Sequence, residues 1–118
     1  MKLDLKQKLF NEEGEILKDG NKELNLKRVV ERAALFTLND ESSEDKDKDF
    51  EIYLRLKANT NGIVDLSAKD ITRLQAKVGK IFSILINGQV CRLLDGKDNP
   101  LAEIHPPKPP KPPNGKPD

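Results

Sequence analysis

Few residues of this chain are candidates for binding or catalysis. Four of these candidates are basic. Lys69, Arg73, Lys77 and Lys80 follow one another at steps of four, four and three. In a helix this spacing places the side chains on one stripe, where they could contact the phosphates of a nucleic acid. No aromatic residues are interleaved with them, so a solvated charged helix face is the competing interpretation.

Catalytic and metal-binding chemistry has little support. The single histidine, His105, has no nearby cysteine or aspartate partner, and the single cysteine, Cys91, lies in an apolar run. The acidic stretch at 39–49 lacks the alternating ligands and the central glycine of a calcium-binding loop. Because an enzyme needs a convergent set of polar groups, we predict a protein that is not an enzyme, with no catalytic residues, no cofactor and no metal site.

The chain ends in a proline-rich segment, PPKPPKPPNGKP at 106–117. Proline fixes φ and has no amide donor, so this segment is predicted to populate the polyproline II conformation. We predict a single globular domain over 1–96 and a flexible, disordered proline- and lysine-rich tail over 97–118.

Part of the tail also satisfies the PxxPxK pattern that proline-binding grooves recognise. A simple spacer is the competing interpretation. The candidate partner-binding residues are Pro106, Pro107, Pro109, Pro110 and Lys111.

Composition limits the partners and predicts the kind of core. The chain has 118 residues, with 21 Lys and Arg against 20 Asp and Glu, so no global field draws it to nucleic acid. Four Phe, one Tyr and no Trp mean that the core must be aliphatic. The lone cysteine and the short apolar runs favour a cytoplasmic protein without membrane contact.

The most regular segment runs from residue 66 to residue 96. A capping box at Ser67 and Asp70 and apolar residues at steps of three and four predict a helix to about Phe82. Leu74 and Val78 are expected to be buried, and Lys77 is expected on the solvated side.

Two interpretations remain for residues 81–94. Helical steps of Val90, Leu93 and Leu94 indicate a second helix from about Ile84 to Leu94. The Asn87-Gly88 pair would instead suit the turn of a β-hairpin.

Three further elements complete the predicted domain. The first 24 residues indicate a short β-hairpin or meander, because Leu3 and Leu5 alternate with polar residues and turn residues follow. Asn25 caps a second amphipathic helix, and Ser42 begins a third. In this third helix Phe50, Tyr53, Leu54 and Lys57 follow at helical spacing, with Ile52 and Leu56 flanking them. The fold class is therefore α+β, a mainly helical small domain with three to four helices.

Three segments together resemble small tailed-phage and prophage proteins. They are LFNEEGEIL, LNLKRVVERAALF and DLSAKDITRLQAKVGKIFSILINGQVCRLLDG, and the similarity covers residues 5–96 and leaves out the tail. The resemblance implies a phage context and no catalytic residues.

The leading hypothesis is a non-enzymatic protein–protein interaction module, a phage or prophage accessory or assembly protein that binds a phage or host protein. Self-association would be a second way to cover the surface that a small aliphatic core leaves exposed. One alternative is a nucleic-acid-associated regulator that uses the basic stripe. Another is an inhibitor of a host enzyme or defence complex, which needs only a shaped surface.

Overall fold

The computed structural model describes residues 1–104, and this part of the chain forms an α+β domain that is mainly helical, as predicted. Five helices and four short strands follow one another along it. In chain order they are β1 (Lys2–Asp4), β2 (Lys18–Asp19), β3 (Lys22–Glu23), α1 (Leu26–Leu35), α2 (Ser43–Ala58), β4 (Ile63–Asp65), α3 (Ala68–Ile81), α4 (Ile84–Leu94) and α5 (Pro100–Ile104).

The helix starts lie where the sequence predicts them. Asn25 Oδ1 accepts a hydrogen bond from the Arg28 amide at 3.0 Å and caps α1. Both capping boxes are present: the Ser42 and Ser67 hydroxyls each accept an amide three residues on, at 3.1 Å, while the side chains of Asp45 and Asp70 accept the serine amides. These contacts satisfy amide donors that a helix start leaves without a partner.

Residues 84–94 form the helix α4, so the hairpin alternative is wrong. Ser83 caps this helix, and Asn87-Gly88 lies inside it instead of forming a turn. Val90, Leu93 and Leu94 are buried on one face, so the helical spacing of the apolar residues was the better guide.

The N-terminal hairpin is confirmed, but one strand pairs elsewhere. Strands β2 and β3 form the hairpin, whose turn contains Gly20 at φ +65°. Strand β1 was expected to join this local structure, and it pairs antiparallel with β4 instead, with Leu3 opposite Val64. A strand pattern shows which side chains face inward but does not identify a distant partner.

Helix α1 packs against both α2 and α3, and α4 packs against α3. Leu74 and Val78 are buried in the core together with Val29 and Val30, as expected, whereas Leu54 is exposed. The core is aliphatic throughout. Its buried members are Leu3, Leu5, Leu9, Leu24, Leu26, Val29, Val30, Ala33, Ala34, Ile52, Leu56, Val64, Leu66, Ile71, Leu74, Val78, Val90, Leu93 and Leu94.

Buried amides connect the N-terminal segment and the end of the described chain to α4. Gln89 is buried, accepts from the Phe10 amide at 2.8 Å and donates to the Phe10 carbonyl at 2.9 Å. The Asn99 amide, also buried, donates to Gln89 Oε1 at 2.8 Å. Packing therefore continues to Asn99, beyond the predicted domain boundary at 96, and α5 follows Asn99. The rest of the predicted tail, from residue 105, lies outside the described residues.

Candidate functional site

The predicted basic stripe is not a single exposed surface. Lys69 and Lys80 are exposed, Arg73 is half-buried, and Lys77 is only 3% exposed. The expectation that Lys77 lies on the solvated side is wrong. Nucleic-acid binding stays a prediction, and only the two outer lysines of the stripe are open to a phosphate.

Lys77 lies at the centre of a buried group of charges between α3 and α2. Its Nζ lies 2.6 Å from Asp49 Oδ2 and 3.1 Å from Glu41 Oε1, and it donates to the Phe36 carbonyl. A buried ammonium is tolerated only when opposite charges and hydrogen bonds surround it. This arrangement provides both.

Arg73, one helical turn before Lys77, covers the same carboxylates from the solvent side. Its Nε donates to Asp49 Oδ1 at 2.7 Å, and its Nη2 donates to the Asp45 carbonyl at 3.0 Å. Its Nη2 also lies 3.8 Å from Glu41 Oε2. We call Glu41, Asp45, Asp49, Arg73 and Lys77 the Lys77 cluster.

The cluster perturbs the titration of its members. Burial alone would raise the pKa of Asp49, but hydrogen bonds involving Arg73, Glu41 and Lys77 outweigh burial and lower that pKa to about 2. The hydrogen bond to Asp49 raises the pKa of Arg73 in return. The lowered pKa of Asp49 and the raised pKa of Arg73 keep this pair charged at neutral pH, so neither group is poised for proton transfer.

The structural effect of the cluster is to fix how α2 lies on the domain. Asp49, Ile52 and Leu56 are its buried residues, so Phe50 and Leu54 must face outward. The sequence prediction placed Phe50, Tyr53 and Leu54 on the apolar face of this helix. This is wrong for Phe50 and Leu54, which are exposed, whereas Tyr53 is half-buried and packs against the core. The spacing of Asp49, Ile52 and Leu56 by three and four was the signal for the correct face, but it requires a buried carboxylate.

The outward side of α2 and the end of α1 carry an exposed apolar surface. Leu35 is 56% exposed, Phe50 51%, Leu54 48% and Phe36 38%. Tyr53 is half-buried, and its ring stacks on Phe50 with centroids 6.3 Å apart. We call these five residues the α2 patch.

Two surface hollows lie along the patch, and their linings include four of its five residues. One, of about 150 Å³, is lined by Leu35, Phe36 and Phe50 among others. The second, of about 210 Å³, includes Leu35 and Tyr53 in its lining. Leu35 therefore borders both hollows, and the patch is continuous from α1 to α2.

Another hollow lies over the Lys77 cluster. Its volume is about 570 Å³, and its lining combines Asp40, Glu41 and Asp45 with Arg73, Lys77 and Lys80. Because the two signs balance and the inner charges are already paired, this hollow selects neither an anion nor a cation.

The remaining candidate residues add no chemistry. Cys91 is half-buried beside Asn87 Oδ1 at 3.2 Å, and burial raises the pKa of its thiol, which makes a thiolate nucleophile less accessible. Within residues 1–104 no group of three or more His, Cys, Asp or Glu side chains could hold a metal ion. The structure describes neither His105 nor the candidate tail residues 106–111.

No helix in the described chain is both long enough and apolar enough to cross a bilayer. Comparisons with protein-family models, with curated proteins and with solved structures give no match.

Proposed function

We propose that this protein is a non-enzymatic protein-binding module and that the α2 patch is its contact surface. The observation that carries the proposal is the distribution of aromatic residues. Three of the five, Phe36, Phe50 and Tyr53, belong to the exposed patch, whereas the buried core of the described chain contains none. Aromatic residues are enriched at the centres of protein interfaces, where they bury large areas at low entropic cost.

The patch is also held in a defined orientation. Asp49 is bound to Lys77 and Arg73, and Asp49 precedes Phe50 on α2. Phe36 follows α1 directly, and its carbonyl accepts from Lys77 Nζ. A surface whose backbone is fixed in advance pays less entropy on binding.

The hollow beside Leu35 and Phe50 indicates what the partner supplies. It is a surface hollow of about 150 Å³ whose lining includes Leu35, Phe36 and Phe50 as well as Lys46, so it can accept one apolar side chain of a partner. The partner we propose is a protein that inserts one such side chain there and covers the neighbouring Tyr53 and Leu54.

The phage or prophage setting is part of the proposal and is supported by the sequence resemblance. An accessory or assembly role would supply a structural partner, and the inhibitor alternative would supply a host enzyme or a defence complex. Both roles use the same surface, so the identity of the partner separates them.

Site-specific crosslinking tests the proposal. A photoreactive phenylalanine analogue is placed at Leu54 in the full chain, and a matched variant carries it at Ile84, which is 93% exposed but lies outside the patch. Crosslinked proteins from source-cell lysate are identified, and the main one is purified for binding measurements. We expect a protein captured from position 54 only, whose affinity falls at least about tenfold with Phe50→Asp and is unchanged with Ile84→Asp.

Two results would overturn the assignment. One is equal capture from positions 54 and 84. The other is a purified partner that binds Phe50→Asp and the unmodified chain equally well.

A further inference from the structure

One rim of the α2 patch is acidic and has no partner in the described chain. Asp47 and Glu51 are exposed and lie one helical turn apart on the same side of α2 as Phe50 and Leu54. Neither carboxylate takes part in a salt bridge within residues 1–104. The patch therefore combines an apolar strip with two carboxylates beside it.

The basic residues next to Glu51 are bound elsewhere. Lys48 lies 3.4 Å from Glu44, and Arg55 lies 3.0 Å from Asp70. Neither of these cations pairs with Asp47 or Glu51, so both carboxylates are open to a cation from another chain.

The same sequence contains a segment with the complementary pattern. Residues 106–113, PPKPPKPP, repeat every three residues. A polyproline II helix has three residues per turn, so in this conformation Lys108 and Lys111 share one edge, about 9 Å apart, and proline rings form the other two edges. The segment is amphipathic, with an apolar ridge beside a line of positive charge.

We propose that residues 106–113 of one copy of this protein bind the α2 patch of a second copy. The proline edges lie on Phe50, Tyr53 and Leu54, and the lysine edge faces Asp47 and Glu51. Proline-rich segments bind aromatic surfaces in this way because their helix loses little conformational entropy on binding. The inference rests on the proposed contact surface but not on any foreign partner.

The packing order favours a second copy over the same chain. Helix α1 lies against α2 and α3, α4 lies against α3, and Asn99 before α5 binds Gln89 on α4. The described chain therefore ends near α4, whereas the patch lies on the outward side of α2. Residue 106 follows α5 by only two positions, a span of about 7 Å even when extended, which leaves little chain to carry the repeat from α4 to α2, so we assign the repeat to a second copy.

Tyr53 provides a direct measurement because it is the only tyrosine and the chain has no tryptophan. Acrylamide quenching of its fluorescence reports the accessibility of the patch in the full chain, and sedimentation velocity reports self-association. We expect quenching to fall, and the sedimentation coefficient to rise, together as protein concentration increases. Two results overturn the proposal. Quenching that does not vary with concentration but is weaker than in the Lys108→Glu and Lys111→Glu variant would mean binding within one chain. Quenching that does not vary with concentration and equals that of this variant would mean no docking.

Charge reversal tests the pairing itself. One variant carries Lys108→Glu and Lys111→Glu, and the other carries Asp47→Lys and Glu51→Lys. Each should self-associate about fivefold more weakly than the unmodified chain, the effect of losing two exposed ion pairs. An equimolar mixture of the two should regain association because each tail then meets a patch of opposite charge.

Two tail controls fix the register. Lys116→Glu reverses the charge of one lysine outside the repeat and should have little effect on self-association. Exchanging two neighbours, Lys108→Pro with Pro109→Lys, keeps the composition but moves one lysine to a proline edge, and it should weaken association. Three results would overturn the proposal: weakening by Lys116→Glu as large as that by the double variant Lys108→Glu and Lys111→Glu, an exchange variant that associates normally, or no recovery on mixing.

Discussion

Lys77 Nζ lies 2.6 Å from Asp49 Oδ2, and each of these side chains is 4% exposed. The pair joins α3 to α2 inside the domain and fixes the rotation of α2 about its axis. Because Phe50 follows Asp49 in sequence, the rotation that buries the carboxylate turns the aromatic ring outward. The Lys77 cluster and the α2 patch are thus two results of one helix orientation.

Removing the buried ammonium should be strongly destabilising. Lys77→Ala leaves Asp49 and Glu41 buried with one cation fewer, which costs about 3 kcal/mol or more of unfolding free energy. The matched control is Lys80→Ala, at an exposed position of α3, which should cost under about 0.5 kcal/mol. Urea denaturation measures both, and a Lys77→Ala variant as stable as Lys80→Ala would contradict the role assigned to the cluster.

Acid should destabilise the domain through Asp49. Its pKa is about 2 in the folded protein against an ordinary value of 3.8, so the stabilisation is complete above about pH 4 and is lost as pH falls through about 2. The contribution is about 2 kcal/mol. Asp49→Asn should lower stability at neutral pH and flatten the dependence on pH between these values, as measured by thermal unfolding in a series of buffers. An unchanged acid limb in that variant would assign the effect to other carboxylates.

Gly79 is a site where alanine should stabilise the protein. It lies in the interior of α3, and a Cβ there would lie 3.6 Å from Asn87 Oδ1, an ordinary contact. The nearest neighbour outside α3 is this side-chain atom and not another backbone. Gly79→Ala should add up to about 1 kcal/mol of unfolding free energy.

The contrasting variant is Gly62→Ala, because Gly62 has φ +84° and a Cβ there would meet Lys6 Cε at 2.6 Å. It should lose about 1–2 kcal/mol. Equal effects at the two glycines in urea denaturation would show that backbone conformation does not decide them.

Gln89 should be sensitive to loss of its amide. Gln89→Leu leaves both backbone groups of Phe10 without their partner and also removes the acceptor of Asn99. Each buried polar group left unpaired costs about 1–3 kcal/mol. Amide hydrogen exchange should show faster exchange at Phe10, whereas Gln7→Leu, at a bond near the surface, should leave the Phe10 amide protected. Unchanged protection at Phe10 in Gln89→Leu would mean that the amide is shielded by packing alone.

The core position Leu74 and the patch position Leu54 should differ sharply. Leu74 is 1% exposed and Leu54 is 48% exposed. Leu74→Ala should cost about 2–5 kcal/mol because it removes buried surface and leaves a cavity, and Leu54→Ala should cost under about 0.5 kcal/mol. Equal costs in urea denaturation would mean that the patch supports the fold instead of binding a partner.

Local patterns predicted much of this fold. Cap residues and apolar spacing located α1, α3 and α4, because caps and helix faces depend on residues only three or four positions apart. The strand β1 was predicted without its partner β4, and the α2 face was wrong. In both cases the deciding contact is distant: Leu3 pairs with Val64, and Asp49 is buried because Lys77 meets it.

The α2 patch was not predicted for the same reason. Phe50, Tyr53 and Leu54 have the spacing of a core face. The competing spacing of Asp49, Ile52 and Leu56 requires a buried carboxylate, and its partner Lys77 is distant in sequence. The basic stripe failed in the opposite sense, since Lys77 has the spacing of a surface residue but is buried with Asp49 and Glu41.

The pairing of β1 with β4 also sets an order of folding. Leu3 and Val64 are roughly 60 residues apart, and closing a loop of that length costs on the order of 3–4 kcal/mol of chain entropy. Helices α1 and α2 lie inside this loop and begin with local contacts, so we expect them to start forming before β1 pairs. On the ribosome the first strand must wait until β4 has emerged, and Leu3 and Leu5 stay exposed to solvent or to a chaperone until then.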